Sequence, residues 1–197
     1  MLAWGIDAPP ARPDSAGRPA PRRSGLSWAE ADSLGRKLAS IEERLKPKSH
    51  RAETVHVTQG EVNSYLNLSL APDLPKGLSD LEVRFGNERI EARGSVDVEQ
   101  IKGKFAAPAW SPLSFLGGVV PIELSGKIVN ADGFGTIELD SAYVASIRVP
   151  ISVVEQMVVS STRNDKYPDG FDIHAPFRLP YSLSRVRIEP GKATLEF

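Results

Sequence analysis

Three turns whose flanking residues alternate in phase constrain this chain more than any other feature. Strand side chains repeat every two residues, so a turn of given length either gathers the apolar residues of both arms on one face or scatters them. Leu81, Val83 and Phe85 alternate with Glu82 and Arg84. After Gly86-Asn87-Glu88-Arg89, the run Ile90, Ala92, Gly94, Val96 and Val98 alternates with Glu91, Arg93, Ser95 and Asp97. A four-residue loop pairs Phe85 with Ile90 and Val83 with Ala92, placing every apolar side chain on one face. Asp132-Gly133, a strong two-residue hairpin signal, pairs Ile128 with Ile137, Gly126 with Leu139 and Leu124 with Ser141. Its second arm is expected to run on through Tyr143, Ala145, Ile147 and Val149. Pro190-Gly191 pairs Ile188 with Ala193 and Val186 with Leu195. Three turns in agreement with their arms predict a mostly antiparallel sheet. Val55 and Val57 read as a short extra strand. Phe171, Ile173, Ala175, Phe177 and Leu179 read as another, which Pro176 and Pro180 push to an edge.

Helices are located by the pattern [ST]-x-x-[EQ], in which a hydroxyl and a carboxylate satisfy two orphan backbone donors reciprocally. It occurs at Ser27, Ser40, Thr58, Ser79 and Ser152. Ser40 falls mid-helix and Ser79 precedes strict alternation, so neither marks a start. Ser27 opens a helix to about Leu45, with Leu34, Leu38, Ile41 and Leu45 on one stripe and Pro47 beyond. Thr58 opens a short helix that gathers Val62, Tyr65, Leu66 and Ser69. Ser152 opens a third, with Val154, Met157, Val158 and Ser161 following. The expected class is α+β, a curved, mostly antiparallel sheet wrapped around amphipathic helices. Three short helices cannot cover so much apolar sheet, which must curl around them or enclose something else.

The chain is 197 residues long, the size of one domain with a tail. Five of its 16 prolines fall within the first 21 residues. Residues 1–25 are therefore expected to form a disordered Pro/Arg-rich arm, and 26–197 a single domain. Tethers of this composition often follow a signal or anchor, which suggests a start just after one and a periplasmic or extracellular site. The 24 basic and 25 acidic residues balance to −1, without the bulk charge of a nucleic-acid binder. With no cysteine, thiolate catalysis, disulfides and Cys-type zinc sites are excluded.

Motifs of chemistry are missing. His50, His56 and His174 stand in no metal-ligand spacing, and there is no nucleophile elbow, Walker loop or G-x-G-x-x-G. An EF-hand alignment from Asp165 fails at Tyr167 and Pro176. No cofactor, metal or catalytic residue is expected. Arg84, Arg89 and Arg93 interleave with Glu82, Glu88 and Glu91, which reads as cross-strand charge pairing. One segment is out of place. Phe105 to Ile122 is 18 residues without a charge, carrying Trp110, Leu113, Phe115, Leu116, Val119 and Val120 among prolines and glycines that would break a spanning helix. Such a segment either caps the core or forms a lip that admits an acyl chain or dips into a membrane. Trp110, Leu113, Phe115, Leu116 and Val119 are the candidate lip.

The run Val55-His-Val-Thr-Gln-Gly-Glu-Val-Asn-Ser-Tyr-Leu66, then Leu74-Pro-Lys-Gly-Leu78 and alternation to Val98, resembles the LmeA-like extracytoplasmic phospholipid-binding family. So does the ending from Leu179 to Leu195. That family is similar to tubular lipid-binding domains, in which a curved antiparallel sheet wraps a long helix around a lipid tunnel. The resemblance implies a monomeric, non-catalytic protein of the cell envelope that holds a lipid or other apolar small molecule, with peripheral membrane contact. Val62, Tyr65, Leu66, Phe85, Ile90, Tyr143, Val154, Met157 and Val158 are then the candidate lining. A scaffold or interaction module with a solid core is the alternative, and a hydrolase whose carboxylates meet only in the fold is a third.

Overall fold

The computed structural model describes residues 25–44, 54–101, 117–163 and 168–197. The expected arm lies outside them apart from Gly25, as do Leu45 and the segment from Trp110 to Leu116. The class is α+β, with antiparallel sheets that do not close. The strands divide between two sheets rather than one. A three-stranded sheet joins β1 (Thr54–Thr58) to β9 (Lys192–Glu196) and β9 to β8 (Arg185–Glu189). The larger sheet runs β2 (Leu78–Phe85), β3 (Ile90–Asp97), β4 (Val119–Ala131), β5 (Phe134–Val144) and β6 (Ile147–Arg148), and β7 (Phe177–Arg178) pairs with the far end of β5.

Next to their turns the first and third hairpins have the registers expected: Phe85 faces Ile90, Val83 faces Ala92, Ile188 faces Ala193 and Val186 faces Leu195, while farther along β2 the register shifts between Ser79 and Glu82, where Asp80 has positive φ. The middle hairpin holds register from its turn, where Asp132 and Gly133 both have positive φ, only as far as Gly126 opposite Leu139. There a bulge intervenes, so that Leu124 faces Ala142 and Ser125 faces Ser141. Glycine permits a close approach of the two strands there. Gly126 lies so close to the Glu138 carbonyl that a Cβ could not fit. Beyond the bulge the arm also stops early: Ala145 and Ser146 take positive φ, and the chain reverses so that Val144 faces Ile147. The strand expected at 171–179 shrinks to Phe177–Arg178.

α1 (Trp28–Arg44) buries Ala31, Leu34 and Ile41. Its start is an enlarged capping box. The Ser27 N–H donates to the Ser64 hydroxyl (3.1 Å), which itself donates to the Glu30 carboxylate (3.0 Å), so a side chain from another helix sits between cap and acid. α2 (Gln59–Ser64) carries the expected box: Glu61 N–H donates to Thr58 Oγ1 and Thr58 N–H to the Glu61 carboxylate. The helix widens into a π turn over Tyr65–Ser69. A short helix, α3 (Val98–Ile101), follows β3. α4 (Ile151–Thr162) begins at Pro150 with no side-chain cap, so Ser152 is not its cap residue. Pro150 suffices because its fixed φ suits a helix start and it brings no N–H.

One set of contacts joins helices to sheet. Gln59, Asn63 and Asn67, four residues apart on one helical face, meet alternate residues of β2. The Asn63 amide accepts from Val83 N–H (2.6 Å) and donates to Val83 carbonyl (3.0 Å). Asn67 does the same for Leu81 (3.0 and 2.6 Å). Gln59 accepts from Phe85 N–H (2.9 Å). Four helical residues advance about 6 Å and two strand residues about 6.8 Å, so the repeats nearly match. The side-chain amides thus stand where a further strand would pair, and the edge of β2 is covered. Asn130 of β4 joins Val186 of β8 in the same two-bond manner (2.8 and 2.9 Å), tying the small sheet to the large one.

Replacing Asn63 by Ala strands the N–H and C=O of Val83, and urea unfolding is expected to show a loss of roughly 1–3 kcal/mol. Asn63→Asp keeps an acceptor but sets a carboxylate against the Val83 carbonyl, so it should destabilise too. A loss within error for both variants would show that water replaces the amide at no cost.

Candidate functional site

The two halves of the molecule pack differently, and the site is built on that difference. Around α1, β1 and β9 the side chains close tightly. Leu34, Val57 and Tyr65 are at most 7% exposed, and the half-buried Leu38, Val55, Val62, Leu70 and Leu195 pack against them. Several polar groups here are engaged, while the buried Ser69 hydroxyl has no hydrogen-bond partner. Glu61 is buried and accepts from Ser33 Oγ (2.6 Å) and from Lys37 Nζ on both oxygens (2.7 Å). Burial alone would raise its pKa. The hydrogen bonds from Lys37, Ser33 and the Thr58 backbone, with the Lys37 charge, outweigh burial and hold it below 4.5. Nearby, Thr194 meets His56 Nδ1 (3.1 Å) and the Glu189 carboxylate (3.3 Å).

On the larger sheet the apolar face is formed by Val83 and Phe85 of β2, Ile90 and Ala92 of β3, Ile122, Leu124 and Ile128 of β4, and Ile137 and Leu139 of β5. All of these are only half-buried. Val120 and Ala142 are the buried members of that face. α4 lies along β5, and it too is incompletely covered. Ser152, Gln156 and Ser160 form its exposed stripe, while Ile151, Val153, Val154, Val158 and Val159 are all half-buried. Both its ends are anchored. Val149 N–H donates to the Ala142 carbonyl (2.9 Å) just before α4, and Phe171 N–H donates to Thr162 Oγ1 (2.7 Å) just after it. Gly170 approaches Val159 so closely that only glycine fits. Between these anchors Glu155 reaches His174 Nε2 at 2.6 Å. That hydrogen bond, and then the Glu155 charge, raise the histidine's pKa above 6.5.

Of the residues expected to line a ligand space, Val154 and Val158 lie on the half-buried part of α4, and Phe85 and Ile90 face each other on the half-buried sheet face. Met157 belongs to α4, but its side chain is outside the described residues. Val62 and Tyr65 belong to the tight cluster, and Leu66 is half-buried in the π turn. Tyr143 stands on the opposite, outer face beside Glu123, because the bulge turns it there. Val119, expected in the lip, is 66% exposed on that outer face, opposite Asp97. Trp110, Leu113, Phe115 and Leu116 lie outside the described residues.

A cleft of about 300 Å³ opens at the β2–β3 turn, lined by Arg84, Phe85, Gly86, Asn87, Arg89 and Glu91. Its guanidinium groups are engaged: Arg84 pairs with Glu82 (2.9 Å) and Arg89 with Asp140 (3.2 Å). The pairing expected across the first hairpin takes another form: Arg84 and Glu82 lie on the same strand, Arg89 reaches Asp140 of β5, and Arg93 stands 3.7 Å from Glu123 of β4. Among the described residues no group of three or more His, Asp or Glu could hold a metal ion. No described helix is long and apolar enough to cross a membrane. No protein family, curated protein or solved structure matches this chain.

The amide ladder and the Glu61–Lys37 pair escaped sequence reasoning. Amides at positions i, i+4 and i+8 ahead of an alternating strand were the available signal for the first. Nothing local signals the second, since Lys37 and Glu61 sit on different elements.

Two titrations follow. Glu61 is more acidic in the folded chain, so its contribution is complete above pH 4.5 and disappears as pH falls through its folded pKa. Stability measured by urea unfolding should therefore drop on acidification below about pH 4.5, and Glu61→Gln should flatten that drop while costing roughly 1–3 kcal/mol at neutral pH. An unchanged acid limb would show that Glu61 titrates normally. For His174, NMR titration should give a pKa above 6.5 that returns to the ordinary value in Glu155→Gln.

Proposed function

We propose that this protein binds a lipid acyl chain, or an apolar molecule of that shape, between α4 and the apolar face of the larger sheet. The incomplete burial of α4 carries this reading. The chain can pack tightly, as the cluster around Leu34, Val57 and Tyr65 demonstrates, yet every described apolar side chain of α4 is left half-covered. An inserted chain would complete that burial. Binding would be by partition: at about 0.8 kcal/mol per methylene, a dozen buried methylenes supply about 10 kcal/mol before ordering costs. No catalytic constellation is needed. The protein in this reading is a carrier or holder, not an enzyme.

The likeness of Val55–Leu66 and Leu179–Leu195 to the LmeA-like phospholipid-binding family supports the same reading. It also favours the cell envelope as the place of action and a phospholipid as the source of the acyl chain.

Native mass spectrometry of the purified protein, followed by lipid extraction, is expected to reveal a bound lipid. Val154→Trp should fill the space beside α4, abolishing uptake of a fluorescent fatty acid while leaving the melting temperature within a few degrees. Loss of the fold in Val154→Trp, with no lipid in the wild type, would instead establish a packed core and the scaffold reading.

A further inference from the structure

The tip of the β4–β5 hairpin presents a second surface, remote in chemistry from the apolar face and on the other side of the sheet. Phe134 is 50% exposed and Val129 45% exposed, and Ala131, directly opposite Phe134, is exposed as well. The three share the outer face. The tip is held in place: Asp132 and Gly133 form a turn with positive φ at both residues, Gly133 N–H donates to the Ser184 carbonyl (3.0 Å), and the Gly133 carbonyl accepts from Leu179 N–H (2.8 Å). The aromatic ring is therefore kept out in solvent by a fixed backbone. Two exposed arginines flank it. Arg178 is the cross-strand partner of Phe134, and Arg185 follows the Ser184 that bonds the turn. The neighbouring carboxylates are engaged elsewhere, Glu138 with Lys127 (2.9 Å) and Glu196, the register partner of Arg185, with Arg187 (2.9 Å). Asp132 is the remaining acid of the tip.

We infer that this tip docks on the surface of an anionic lipid bilayer, Phe134 and Val129 entering the acyl boundary while Arg178 and Arg185 contact lipid phosphates. The size of the patch decides between occupants. A stable protein interface takes about 800 Å² from each partner, far more than one half-exposed Phe, one Val and one Ala offer. Shallow insertion of a few apolar side chains beside guanidinium groups is what an anionic interface accepts. Arg is suited to phosphate by its planar fork. The inference is independent of the acyl-chain reading, because it uses the opposite face of the sheet.

The test is co-sedimentation of the full chain with phosphatidylcholine vesicles with and without phosphatidylglycerol. The wild type should bind the anionic vesicles, more weakly as salt rises. Phe134→Ser should lower partition about tenfold or more, and Arg178→Gln and Arg185→Gln about fivefold each, on anionic vesicles alone. Asp132→Asn should increase it. Fluorescent fatty acid uptake should be unchanged in all four variants, which separates this surface from the site beside α4. Wild-type protein that ignores both kinds of vesicle, or Phe134→Ser that binds as well as wild type, overturns the inference. So does light scattering that shows Phe134→Ser turning a dimer into a monomer, since the patch would then be a self-contact. Should Phe134→Ser fail to fold, the arginine and Asp132 variants decide alone, with equal binding by all three counting against docking.

Discussion

Side-chain amides standing in for a β-strand hold this molecule together. Hydrogen bonding in a sheet asks for a donor and an acceptor every second residue, and a primary amide offers both on one planar group. Asn63 and Asn67 meet that demand for Val83 and Leu81, and Gln59 meets half of it for Phe85. A helix can therefore dock on a strand edge without an apolar contact at the seam. The apolar side of α2 stays free for α1 and β1. Without the ladder, β2 would be an open edge and the tight half of the domain would lose its main connection to the larger sheet. Asn130 solves the same problem for β8.

The division of labour follows. Charges inside the tight half, Glu61 with Lys37 and Glu30 with Ser64, are satisfied by partners on separate elements, which fixes how α1 and α2 lie on the small sheet. On the larger sheet most of the described apolar residues are half-buried. Beside it α4, a helix rich in β-branched residues, lies along β5, held by the Thr162 hydroxyl, which accepts from Phe171 N–H, and by Glu155 at His174.

The hairpins could be read from the chain because turn length and alternation are local and redundant: a wrong register at Phe85–Ile90 or Ile188–Ala193 would expose a whole face at once. What escaped prediction was set by contacts between distant residues. The bulge at Asp140 lies where Gly126 approaches Glu138 of the other arm, and it turns Tyr143 to the outer face. The reversal at Ala145–Ser146 uses positive φ in residues that carry no turn signature. The start of α4 rests on Pro150, while the nearby Ser-x-x-Glu pattern pointed two residues too far. Of the candidate lining, Phe85, Ile90, Val154 and Val158 were legible as apolar positions. Whether a helix face meets core or open space depends on its neighbours, and Tyr65 shows that amphipathic spacing alone does not separate the two.

The pairing of β1 with β9 has a consequence for how the domain comes into being. Thr54 lies opposite Glu196, so the first strand of the described domain waits for the last. Local hairpins can form as the chain emerges, but the small sheet closes a loop of most of the domain, the slow and entropically costly kind of contact. Until β9 has left the ribosome, Val57 and the face of α1 that covers it have no floor. The tight half of the protein is therefore completed last, and a chain cut before Lys192 loses the partner strand of both β1 and β8.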